Sequence, residues 1–213
     1  MLRYLVALSL LAVSWAQDCQ VANIPVMQNF NKSRYAGQWY AVGKKDPDGL
    51  FLLDNIVANF NVDEDGITTA TARGRVYIFK YWEVCADMRA TFEDTSDPAK
   101  FKMKYWGVSA LLQTGYDDHW VIDTDYDNYA VHYSCRKVHE VNGTCADSYS
   151  FIFSRHESGL RLEDQQIVSA KKHDICLAGK YRRVTHTPGQ CENLTPIDSI
   201  PVPGPEDEAH QNI

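Results

Sequence analysis

Eight short segments of this chain alternate residue by residue between apolar and polar, and turn-forming residues interrupt them. The ranges Gly37 to Lys45, Asn55 to Glu64, Ile67 to Tyr77, Trp82 to Glu93, Lys100 to Trp106, His119 to Asp123, Tyr129 to Arg136 and Ser148 to Ser154 are rich in Val, Ile, Thr, Tyr, Phe and Trp. These are residues that suit a pleated, half-buried surface. Phe101, Met103 and Tyr105 fall on one face of their segment, with Lys102, Lys104 and Trp106 on the other. Tyr149, Phe151 and Phe153 alternate in the same way with Ser148, Ser150 and Ile152. A period of two belongs to a strand with one face in a core. Turn signals stand between the segments at Asp65-Gly66, Asp97-Pro98, Tyr116-Asp117-Asp118 and Asn142-Gly143. Eight strands at this spacing predict an antiparallel sandwich or a closed barrel. Closure removes the sticky strand edges, and eight strands leave space for one small ligand.

One helix is predicted, Arg161 to Asp174, with Glu163 and Asp164 in its first turn and Lys171 and Lys172 in its last. That arrangement complements the helix dipole. Leu162, Ile167, Ala170 and Ile175 are its expected buried stripe. At the other end of the chain, Arg3 precedes an apolar run from Leu5 to Val13, and Ser14-Trp15-Ala16 supplies small residues. Residues 1–16 therefore read as a secretory signal peptide, too short in its apolar part to span a bilayer. Residues 17–191 form the expected globular domain. Residues 192–213 contain several prolines and the acidic run Glu206-Asp207-Glu208, and are expected to be a disordered tail.

An acidic net charge of −7 argues against nucleic acid as a partner. No later segment is apolar for long enough to insert in a membrane. The cysteines at 19, 85, 135, 145, 176 and 191 are even in number and contain no CxxC pair. In a secreted chain that predicts three disulfides with about fifteen possible pairings and disfavours a metal site. Sequons stand at Asn31, Asn142 and Asn193.

Three features now combine in order: Gly37-x-Trp39 opening the first strand, Thr124-Asp125-Tyr126 between the sixth and seventh, and Arg155 closing the last. With eight strands and a late helix, the chain resembles the lipocalin family. The longer stretches KKDPDGLFLLDNIVA, CADM, DPAKFKMKYWG, DDHWVIDTDYDNYAVHYSCR and GTCADSYSFIFSR resemble its retinol-binding members, from about Cys19 to Cys191. The resemblance implies an all-β, eight-stranded, up-and-down antiparallel barrel with one C-terminal helix. It also implies the pairings Cys19–Cys176, Cys85–Cys191 and Cys135–Cys145. The last agrees with local physics, because Asn142-Gly143 turns two neighbouring strands together.

The same resemblance assigns a cargo, all-trans-retinol, with no cofactor and no metal. The inward residues Ala58, Phe60, Ala70, Ala72, Val76, Met88, Ala90, Phe92, Met103, Tyr105, Tyr149, Phe151 and Phe153 would line its cavity. Alanines where a filled barrel would prefer larger residues leave a slot, and methionine adapts to an irregular apolar surface. Leu50, Phe51 and Leu52, apolar in an otherwise polar loop, would gate the mouth. Leu112 belongs to the same end, Gln113 would meet a hydroxyl there, His119 would lie deeper, and His132 would face the interior. Gly37 and Trp39 would form the closed end, with Arg155 over the indole ring as a cation–π partner. Phe79, Trp82, Trp106, Leu111 and Leu112 would crowd the mouth, with Lys104 beside them; aromatic residues around an opening are interface material. Transthyretin and a membrane retinol receptor are the partners the resemblance implies. No catalytic motif such as GxSxG or HExxH occurs, and bridged cysteines leave no thiolate nucleophile. The expected function is a secreted, extracellular carrier of retinol. The alternative is a retinoid-binding adhesion or trophic factor.

Overall fold

The computed structural model describes residues 19–49, 52–78, 82–106, 110 and 116–191, leaving aside the side chains of Ile78 and Trp82. Strands β1 (Gly37–Lys45), β2 (Asp54–Val62), β3 (Thr68–Ile78), β4 (Trp82–Asp94), β5 (Lys100–Trp106), β6 (Tyr116–Thr124), β7 (Tyr129–Val138) and β8 (Cys145–Ser154) follow in chain order. Each pairs antiparallel with the next, and β1 pairs with both β8 and β2, which closes the barrel. The α-helices α1 (Lys32–Tyr35) and α2 (Leu162–Asp174) accompany it, with a short 3-10 helix at Val21–Asn23. The signal peptide and the tail fall outside the described residues, as do Leu50, Phe51, Phe79, Leu111, Leu112, Gln113 and Asn193.

The period-two reading located every barrel strand, with differences at three places. The expected turn Tyr116-Asp117-Asp118 is instead the start of β6, because Asp117 turns inward and its carboxylate finds partners there. A ninth strand, β9 (Arg182–Arg183), pairs with Gly43 and Lys44 of β1. It covers the half of β1 that β2 does not reach, since β1 pairs with β2 only from Gly37 to Tyr40. Two residues carry no periodicity, so sequence alone could not find it. Helix α2 buries Asp164 and Val168, followed by Ile175 at its C-cap, while Leu162 and Ile167 are exposed at 78% and 42% and Ala170 is exposed too. Arg161 binds both oxygens of Asp164, at 2.8 and 2.9 Å, which offsets the cost of burying that carboxylate. A stripe that begins with an acid cannot be recognised by hydrophobicity.

Strands end at Lys45, Ile78, Trp106 and Val138 and begin at Asp54, Trp82, Tyr116 and Cys145 at one end of the barrel; Val62, Thr68, Asp94, Lys100, Thr124 and Tyr129 mark the other. The second end is closed. Trp39 is fully buried there, its Nε1 donating to the Tyr35 carbonyl at 2.8 Å, with the Tyr35 ring 5.3 Å away. The Arg155 guanidinium lies 3.7 Å from the Trp39 ring centroid. Gly37 has φ +94°, and a Cβ there would meet the Arg155 Nη1 at 3.3 Å. Both facts call for glycine. The Thr124-Asp125-Tyr126 corner is also structural: Asp125 Oδ1 accepts from the amides of Asp127, Asn128 and Tyr129, and Tyr126 OH accepts from the Asn31 amide.

Cys19–Cys176, Cys85–Cys191 and Cys135–Cys145 are all bonded, across separations of 157, 106 and 10 residues. Replacing Cys85 and Cys191 together by serine is expected to lower stability by up to about 4–5 kcal/mol, through restored freedom of the unfolded chain. A denaturant midpoint unchanged from the parent would refute that contribution.

Candidate ligand cavity

Inside the barrel, strand alternation aims one residue in two at a common cavity of about 70 Å³. Small-molecule sites usually measure about 300–1,000 Å³, so the side chains around this space would have to move apart for a whole ligand to enter. Its wall carries Ala58 and Phe60 from β2, Ala70 and Ala72 from β3, and Met88, Ala90 and Phe92 from β4. Met103 and Tyr105 of β5, His119 of β6, His132 of β7, and Tyr149, Phe151 and Phe153 of β8 complete the circuit. The small side chains of β3 leave the slot: Ala70 and Ala72 face inward, and Gly74 follows them in the same alternation.

Val76 is buried in the core but is not on this wall. Leu52 and Ile56 crowd the inner side of β3 at Gly74, where a Cβ would lie 3.3 and 3.1 Å from them. Ile56 and Leu52 take the mouthward positions of the wall instead. Ile56 was overlooked in the sequence, although it shares the alternation of Ala58 and Phe60. Of the three gate residues expected in the first mouth loop, Leu52 is described, and it is 3% exposed.

Lys44 was also missed. Trp39 and Ala41 point inward, and a register shift between Ala41 and Gly43 then turns Lys44, rather than Gly43, into the interior. Its ammonium, 5.8 Å from the Phe151 ring centroid, donates to the Leu52 carbonyl and pairs with Asp46 at 2.5 Å. Arg182 holds the same carboxylate at 2.6 Å and donates to the Leu53 carbonyl at 2.8 Å. These bonds strap the end of the first mouth loop to the barrel rim and so position Leu52. Burial lowers the Lys44 pKa to about 8 against the opposing pull of Asp46.

A second polar group stands near the rim. Tyr105 OH and Tyr149 OH are 3.3 Å apart, and Tyr149 OH donates to Asp117 Oδ2 at 3.3 Å. Arg136 Nε faces the other Asp117 oxygen at 3.5 Å. Burial, only partly offset by Arg136, raises the Asp117 pKa.

Deeper, the His119 and His132 rings stand 4.3 Å apart among Phe60, Phe92, Tyr149 and Phe151. His119 Nε2 and both His132 nitrogens have no hydrogen-bond partner. Burial pushes the His119 pKa down to about 3 and that of His132 well below its ordinary value, helped by His119. Both imidazoles are therefore neutral in the folded protein and take up protons in the unfolded one below about pH 6.5. The unfolded chain then binds more protons, so stability falls as pH drops from about 6.5 toward 3. The expected loss is on the order of a few kcal/mol. His132→Gln should move the acid-unfolding midpoint to lower pH; an unmoved midpoint would show that His132 does not contribute.

Of the expected mouth residues, Trp106 donates its Nε1 to Thr91 Oγ1 at 3.0 Å, and Lys104 lies 4.5 Å over its ring. Asn31 and Asn142 are exposed; Asn31 caps α1 through its Oδ1, and Asn142 Oδ1 accepts from Thr144. Among the described residues no three His, Cys, Asp or Glu side chains come together as a metal site would require.

Residues 36–174 match the profile of the Lipocalin / cytosolic fatty-acid binding protein family. The chain is 70% identical over 176 residues to retinol-binding protein 4-A of Oncorhynchus mykiss, covering 83% of this chain and 99% of that one. It is 50% identical over 180 residues to purpurin of Gallus gallus, covering 84% and 91%. The fold is shared with lobster apocrustacyanin A1 at TM-score 0.59 and 19% identity, over 74% of this chain and 80% of that one. The up-and-down closure and the family match rest on the same strands, and together they make this chain a member of the lipocalin family.

Proposed function

We propose that this chain is a secreted carrier that encloses all-trans-retinol in its barrel and releases it unaltered. The observation that carries this reading is the apolar cavity inside the barrel, where the small side chains Ala58, Ala70, Ala72 and Ala90 leave the space between the larger wall residues. The identity to a retinol-binding protein 4 supports it across nearly the whole length of that relative. Apolar burial would supply most of the affinity. The wall residues from Ala58 to Phe153 would touch the cargo, and Leu52, with Leu50, Phe51, Leu112 and Gln113 of the mouth loops, would face its solvent end. Three disulfides suit an oxidising, extracellular compartment. Titrating lipid-free protein with all-trans-retinol should quench tryptophan fluorescence and saturate near one ligand per chain; no saturable binding would overturn the reading.

Partner binding would use the mouth, as the resemblance to transthyretin-docking, receptor-served carriers implies. Tyr77, Val84, Tyr116 and Val138 are apolar residues at that end exposed by 36% or more. The second reading is a purpurin-like adhesion or trophic factor, and the 50% identity to purpurin favours it. Cell binding that is the same with and without retinoid would select that reading over the carrier.

A further inference from the structure

Beneath the main cavity, toward the closed end, lies a recess of about 10 Å³ that His119, Phe60 and Phe92 share with the cavity above. Phe30, Phe101, Tyr35 and Thr68 complete its lining, with Lys32 at its edge. Aromatic rings make most of this surface, yet three polar atoms in it have no partner: Tyr35 OH, Thr68 Oγ1 and His119 Nε2. Tyr35, Thr68 and His119 are only 4%, 6% and 5% exposed. Buried polar atoms nearly always find hydrogen bonds, so three orphans around one recess need an explanation. They come from separate elements, α1, β3 and β6, which the barrel brings together at its floor.

We infer that this recess is a second polar subsite, built to receive a hydroxyl on the end of the cargo that enters the barrel first. The inference rests on the carrier reading above. A hydroxyl donates one hydrogen bond and accepts two, and the phenol, the alcohol and the imidazole can match all of them. Space is limited to a group about the size of one water molecule. A carboxylate would suit the place poorly. His119 is held neutral by burial, and the one ammonium at the edge, that of Lys32, already pairs with Asp94 at 2.6 Å. The preferred cargo is thus an elongated retinoid alcohol with an oxygen at each end: one at the wet mouth and one, on the ring, at the floor.

The test compares all-trans-retinol with ring-hydroxylated all-trans-retinol on lipid-free full-length protein, by fluorescence titration. The parent protein is expected to bind the ring-hydroxylated form about tenfold more tightly, the effect of satisfying buried groups otherwise left unpaired. The near-isosteric pair Tyr35→Phe and Thr68→Val should abolish that preference while leaving retinol affinity within about twofold, and should make the ligand-free protein no less stable. His119→Phe provides an independent variant with the same expected loss of preference. Equal affinities for both ligands in the parent, as a resident water satisfying the three groups would produce, overturn the inference and leave the carrier reading standing. A preference that survives in all the variants also overturns it. Binding of neither ligand overturns the carrier reading and this inference with it.

Discussion

Arg155→Ala is expected to lower the unfolding free energy by about 3–5 kcal/mol, a large share of the stability of an ordinary domain. The guanidinium donates to five backbone carbonyls: Tyr126 at 2.9 Å, Gln38 at 2.8 Å, Ala36 at 2.9 Å, and Arg34 and Tyr35 at 3.3 Å. Those carbonyls belong to the chain entering β1 and to the Thr124-Asp125-Tyr126 corner, so one side chain ties the two segments that seal the barrel floor. Its face also covers the Trp39 ring at 3.7 Å. Bonds to a charged donor are worth about 1.5–3 kcal/mol each, but they share one group and do not add. Arg155→Lys should recover less than half of the loss, because an ammonium lacks the planar fork that reaches several carbonyls at once. Trp39→Ala should cost about as much by leaving a cavity at a fully buried site. The double variant should lose less than the two singles combined, since each removes the other's partner. Chemical denaturation with the disulfides intact reads all four variants; a shift below about 1 kcal/mol for Arg155→Ala would show that the floor closes without it. Retinol affinity of the folded variant should change little, since both residues lie outside the cavity wall.

Met88→Arg is expected to reduce retinol affinity by at least about a hundredfold while the barrel stays folded. Met88 sits on the wall opposite Ala72 in the β3–β4 ladder and is itself only half-buried. A guanidinium there either stays in the apolar cavity, which cargo burial would strip of water, or extends toward the mouth and fills the slot with its stem. Both outcomes exclude an apolar molecule. Met88→Leu conserves volume and polarity and should bind within a few-fold of the parent. Phe153→Arg is a poorer probe of the same wall. Phe153 is 3% exposed and stacks on Phe151 at 5.3 Å, with Phe60 at 6.4 Å, so a charge there would unfold the strand rather than test the site. Unchanged affinity in folded Met88→Arg would remove this region from the binding site.

Much of the cavity was legible because a strand's two faces are set by parity. Once Ala58 and Phe60, or Met103 and Tyr105, were seen to alternate with polar neighbours, their common direction followed without knowledge of the fold. The errors fell where parity breaks or where polar residues take apolar positions. The shift at Ala41/Gly43 brought in Lys44, which no hydrophobic pattern would select. Asp117 was read as part of a turn because an acid facing the interior makes sense only beside Tyr149 and Arg136, which come from other strands. The stripe of α2 was misassigned for the same reason, since Asp164 is tolerable in the core only with Arg161 on both of its oxygens.

The sequence by itself determined the strands, the apolar side of each, the Asn142-Gly143 turn and the glycine–tryptophan start of β1. These follow from local sterics and from a period of two, which need no distant contact. The tertiary structure alone decided which inward residues share one cavity and which, like Val76, are screened from it. It alone decided that Lys44 straps the mouth, and that Tyr35, Thr68 and His119 meet at the floor without partners. Those outcomes depend on register between strands far apart in the chain, and a bulge of one residue is enough to change them.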